Sequence, residues 1–165
     1  MSDSMMGGID EEKLKHSLSE HLSDIRKMTE GGCTVDGMMK HIDELVAYKP
    51  DNILLHVGTN DCVNITSDAV IQKLKKLGRK IREKLPKAYV YFSLPTMRVD
   101  NRKANLIVRN VNNKIRSAGI PCLDHLNINV NHLSKKGLHL NESRHGKRRN
   151  RSVRTSYGDG MTMVY

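Results

Sequence analysis

Apolar residues recur along this chain in two patterns, one typical of buried strands and one typical of amphipathic helices. Residues 53–57 form a mostly apolar run without Gly or Pro, which predicts a buried strand that stops at Gly58. Residues 88–94 are rich in β-branched and aromatic side chains between two prolines, and they predict a second strand. A third, short strand is predicted at residues 120–123.

Four segments repeat apolar residues at helical spacing. The predicted helices cover residues 10–25, 35–46, 66–85 and 101–118. Thr34 or Asp36 can cap the second of them, Thr66 the third, and Pro50 and Pro86 follow their ends. Residues 25–29 fit either a short strand or the start of a glycine loop.

Strands that alternate with amphipathic helices predict βαβ units and a parallel sheet with helices on both faces. The fold class is therefore α/β, and 165 residues suit one domain. We assign that domain to residues 1–146. Residues 147–165 have few apolar residues and no helical periodicity, which predicts a disordered basic tail.

Composition refines this picture. Apolar residues make up 38% and aromatic residues 4% of the chain, so the core must be aliphatic and rich in Met. Cys33, Cys62 and Cys122 have no CxxC spacing, and their odd number favours a reduced compartment. Without a signal-peptide pattern or an apolar run of membrane-spanning length, we expect a cytoplasmic protein.

Positive charge is concentrated near the end of the chain. Residues 134–154 hold eight Lys and Arg, and Glu142 is the one acid among them. This segment therefore supplies +7 of the net charge of +10. Such a segment is either a solvated tail or a non-specific contact for nucleic acid, because cations neutralise phosphates. No aromatic side chain lies among them, so sequence-specific reading is not expected.

Four polar blocks carry the residue types that acyl transfer needs. A serine nucleophile requires a base, and the developing oxyanion requires fixed donors such as a backbone N–H at a Gly turn and an Asn amide. Ser4, His139, Gly32 and Asn60 supply these groups. The alternatives are an unstructured terminal serine, a surface-loop histidine and a strand-end turn at Asn60.

Four histidines fall within 21 residues of one another, but no metal-binding motif accompanies them. We therefore expect no metal and no other cofactor. These histidines are His125, His132, His139 and His145.

The block order Asp-Ser, Gly, Gly-Thr-Asn-Asp and Gly-Leu-His-Leu-Asn resembles the SGNH-type hydrolases, also called GDSL-like esterases. The likeness covers most of residues 3–146 and is especially similar to short versions found in retroelements. It implies a three-layer, flavodoxin-like fold acting on small acyl esters. By this resemblance Ser4 would be nucleophile and oxyanion donor, Gly32 and Asn60 further oxyanion donors, and His139 the base.

Three features differ from the pattern of that family. Ser2 stands where the family's Gly-Asp-Ser block has a glycine, which removes a residue that allows a tight turn at the nucleophile. Lys136 stands three residues before His139, where the family has an acid that orients the imidazole, so weak or no activity is expected. Only three residues precede Ser4, so we expect the first strand of the fold to be missing. The alternative is a catalytically degenerate scaffold whose basic tail binds nucleic acid non-specifically.

Overall fold

The described part of the chain is built on one parallel sheet. The computed structural model describes residues 28, 30–125, 131, 133–134 and 136–138. The strands are β1 (Asn52–His56), β2 (Tyr89–Ser93) and β3 (Cys122–Leu123), hydrogen-bonded in the order β1-β2-β3. Both neighbouring pairs are parallel, which confirms the predicted α/β class.

In the described residues, two α-helices precede β1, and a short 3-10 helix and two further α-helices lie between the strands. The α-helices are α1 (Val35–Met39), α2 (Ile42–Tyr48), α3 (Ser67–Lys84) and α4 (Arg102–Ser117), and the 3-10 helix is Asp61–Val63. Thr66 caps α3 by accepting a hydrogen bond from the Ala69 N–H, and Asn101 caps α4 in the same way through Ala104. The predicted third and fourth helices are therefore confirmed to within a few residues.

The core lies between one face of the sheet and the helices. Alternate residues of β1 and β2 point to this face, including Leu55 and its cross-strand partner Phe92. Helices α3 and α4 contribute the apolar stripes that the sequence predicted, with Leu77 and Val111 fully buried. The opposite face is also buried at β1, where Leu54 is 1% exposed.

The segment predicted as a single helix over residues 35–46 is two helices. The chain tightens at Lys40 and His41, whose N–H groups donate to carbonyls three residues back, at Gly37 and Met38. Gly37 weakens the first helix because glycine has low helix propensity. The predicted continuous helix was wrong, although Met38, Ile42 and Leu45 still face the core.

Several predictions concern residues outside those that the structure describes. These are the helix over 10–25, the missing first strand, the domain limit at residue 146 and the tail at 147–165. Among the helices that are described, none is both long and apolar enough to cross a membrane.

Candidate active site

The structure brings Gly32 and Asn60 into adjacent loops. The Asn60 Nδ2 donates to the Cys33 backbone oxygen at 3.0 Å, which links the loop after β1 to the turn that precedes α1. Gly32 has a φ of +74°, a left-handed conformation that favours glycine. The Asn60 amide carries a second hydrogen, so one N–H can still point to a substrate oxygen.

Asp61 also links the loop after β1 to the start of α1. Its side chain is only 1% exposed, and its Oδ2 accepts a hydrogen bond of 2.9 Å from the Val35 N–H at the start of α1. The Lys73 ammonium lies 3.5 Å from the other carboxylate oxygen. Burial raises the pKa of the Asp61 carboxyl, while the Val35 N–H and Lys73 act in the opposite direction.

Gly58 allows the sharp departure of the chain from β1. Its φ of +112° is a conformation that other L-residues rarely adopt. A Cβ at this position would lie 3.6 Å from Val70 and 3.7 Å from Pro95, so space is not the constraint. The backbone conformation therefore explains why glycine begins the block that ends at Asp61.

The predicted nucleophile Ser4 and the predicted base His139 lie outside the described residues. The segment just before His139 is described, and it is anchored to the loop after β2. The Gly137 oxygen accepts a hydrogen bond of 2.9 Å from the Val99 N–H. A Cβ on Gly137 would lie 2.9 Å from the Asp100 backbone nitrogen, so this close approach requires glycine.

The thiols beside the site are poor nucleophiles. All three cysteines are free, and Cys33 and Cys62 are buried. Burial raises the pKa of Cys33 to about 11 and that of Cys62 to about 12. Both side chains are therefore thiols at neutral pH and pack as small hydrophobic groups.

A polar chain that the sequence patterns did not predict lies where the three strands end. The Ser93 hydroxyl lies 2.8 Å from His56 Nδ1 and 2.6 Å from His125 Nε2. A hydroxyl has one hydrogen, so Ser93 donates to one ring and accepts an N–H from the other. The two imidazoles also meet edge to face, with ring centroids 5.9 Å apart.

Burial controls the protonation of the two histidines that contact Ser93. His56 is fully buried and Ser93 is 1% exposed. Burial lowers the pKa of both His56 and His125 to about 4, and the neighbouring His56 charge further lowers the pKa of His125. Both rings are therefore neutral at pH 7. The available sequence signal was a histidine inside an otherwise apolar strand and a serine at the end of the next strand.

Comparison with known proteins places the fold. No family model matches the chain, and no curated protein matches it in sequence. The solved structure of TesA matches with a TM-score of 0.65 and 18% identity, covering 86% of this chain and 87% of TesA. The psychrotrophic esterase EstA from Pseudoalteromonas sp., inhibited by monoethylphosphonate, matches with a TM-score of 0.64 and 18% identity. That match covers 87% of this chain and 86% of the esterase.

A lipase/acylhydrolase from Enterococcus faecalis is also similar, with a TM-score of 0.61 and 18% identity over 84% of each chain. A GDSL-like lipase from Bacteroides thetaiotaomicron matches with a TM-score of 0.55 and 14% identity, covering 69% of this chain and 66% of the lipase. Together with the parallel sheet and the helices that pack on it, these neighbours show that the chain has the α/β fold of the SGNH, or GDSL-like, hydrolases.

Proposed function

We propose that this chain is a serine hydrolase that cleaves small acyl esters. The observation that carries the proposal is the hydrogen bond between Asn60 and Cys33, which holds two of the four sequence blocks side by side. Gly32 and Asn60 then supply a backbone and a side-chain donor to one oxyanion. The esterase neighbours support the substrate class.

The proposed reaction proceeds through an acyl-enzyme. The Ser4 oxygen attacks the ester carbonyl while the His139 imidazole takes the hydroxyl proton. Gly32 and Asn60 stabilise the oxyanion, and the alcohol leaves with the proton returned by His139. Water then attacks the acyl group in the same manner, releases the acid and regenerates Ser4.

Lys136 limits the expected rate. A cation at this position disfavours the imidazolium that forms on His139 during each half-reaction, whereas a carboxylate would stabilise it. We therefore expect turnover well below that of an enzyme with an acid there. Lys136→Asp is expected to raise the rate, which gives the proposal a gain-of-function test.

Hydrolysis of p-nitrophenyl acetate by the purified chain tests the proposal. We expect Ser4→Ala and His139→Ala to remove the activity. Surface variants Ser117→Ala and His41→Asn are matched controls that should retain it, because both residues lie outside the proposed machinery. Equal rates in all five proteins would contradict the proposal.

A second candidate function is that of a catalytically inactive scaffold whose basic tail binds nucleic acid. Lys136 in place of an acid and the +7 charge of residues 134–154 favour it. Deleting residues 144–165 should then abolish a salt-dependent shift of a labelled duplex. An unchanged shift would exclude the tail as the binding element. We also propose that the chain is similar to the short SGNH-type versions found in retroelements, on the basis of the block around His139.

A further inference from the structure

Helices α3 and α4 carry as much excess positive charge as the whole chain. Helix α3 contains seven Lys and Arg against two acids, and α4 contains five against none. These two helices therefore hold an excess of ten cations, equal to the net charge of +10. The positive charge of residues 134–154 is balanced mainly by residues 1–66, which contain twelve acids and six Lys and Arg.

Most of these helical cations have no acidic partner within the described residues. Four of the twelve form ion pairs with acids, and these are Lys73, Lys84, Lys114 and Arg116. The other eight are all exposed to solvent. A charge that is already paired contributes little to binding an outside anion, so the eight remaining cations define the available positive surface.

Helices α3 and α4 expose their charged sides on the same side of the sheet. The apolar stripes of α3 and α4 are buried in one core cluster against the same face of the sheet, so their charged sides face away from it together. An ion pair between Lys114 of α4 and Asp68 of α3 joins the two helices directly. The exposed cations of both helices therefore lie on the same side of the sheet.

Five of the eight cations without an acidic partner in the described residues fall in one stripe on each helix. Lys75, Arg79 and Arg82 follow one another along α3 at spacings of about 6 and 4.5 Å. Arg102 and Arg109 lie about 10 Å apart along α4. We call these five residues the basic helical face. Most of them are arginines, whose planar guanidinium matches phosphate oxygens in a bidentate manner.

We infer that the basic helical face binds the phosphate backbone of a nucleic acid without reading its sequence. Helices α3 and α4 contain no aromatic residue, so no platform for stacking bases is present on them. A membrane surface is the poorer fit, because the apolar stripes of both helices are buried. Of the large apolar residues of α3 and α4, only Leu106 is exposed. This inference does not depend on hydrolase activity.

The test is the binding of the full-length chain to a fluorescent duplex of about 20 base pairs, measured by anisotropy between about 50 and 200 mM salt. The face variant carries Lys75→Glu, Arg79→Glu and Arg82→Glu. The tail variant, which makes the same change in net charge, carries Arg148→Glu, Arg149→Glu and Arg151→Glu. Removing three phosphate contacts should lower the slope of log K against log salt by roughly 3.

We expect the face variant to lose binding at least tenfold more than the tail variant, with no dependence on duplex sequence. A milder variant with Gln at the same three helical positions tests the same contacts if the Glu variant does not fold by circular dichroism. Equal losses in both variants, a loss only in the tail variant, or no binding at low salt would overturn the inference. Binding to vesicles rich in anionic lipid without binding to the duplex would overturn it as well.

Discussion

Acidification is expected to destabilise the fold through the chain of His56, Ser93 and His125. Both histidines have a pKa of about 4 in the folded protein, against 6.5 as the ordinary value. Between these two values the unfolded chain binds more protons than the folded one, so stability falls as the pH falls. The contribution is fully present above about pH 6.5 and is progressively lost toward pH 4.

The size of this loss of stability follows from proton linkage. Lowering the pH from about 7 to about 5 protonates most of each histidine in the unfolded state and about a tenth in the folded state. The free energy of unfolding then drops by about 2 kcal/mol for each ring, or about 4 kcal/mol for the two together. This is a large part of the stability of a typical domain.

Urea unfolding followed by circular dichroism at the two pH values measures this drop. In the His56→Asn variant the drop should shrink by at least half, since one titrating ring is gone and the other loses a charged neighbour. Ser93→Ala is the control, because burial is the first cause of both shifts and remains in place. An equal loss of unfolding free energy in wild type and His56→Asn between the two pH values would show that His56 is not responsible for the drop.

Two further substitutions probe the site itself. Asp61→Ala should cost about 2 to 3 kcal/mol in urea unfolding because the Val35 N–H loses its buried acceptor, whereas Asp61→Asn should cost less than about 1 kcal/mol. Equal costs would show that the hydrogen bond is unimportant. Asn60→Ala should lower kcat on p-nitrophenyl acetate roughly 100-fold, with the exposed Asn110→Ala as control. A fall of the same size in the control would argue against an oxyanion role.

Local sequence signals were sufficient for most of the secondary structure. The apolar stripes that include Leu77 and Val111, together with the cap at Thr66, predicted α3 and α4, because a helix depends on contacts within four residues. The strand before Gly58 was also clear, because its mostly apolar run stops at a glycine. The break at Lys40 was missed, since the apolar spacing continues across it and gives no sign that the backbone tightens there.

The sequence by itself determined the α/β class, the three strands with α3 and α4 between them, and the residues that begin the loop after β1. Only the tertiary structure decided which side chains meet. His56 and Ser93 are 37 positions apart and become partners through the register of β1 and β2. Asp61 reaches Val35 across 26 positions. Periodicity reports which face of an element is buried, whereas contacts between the ends of different elements are set by how those elements pair and pack.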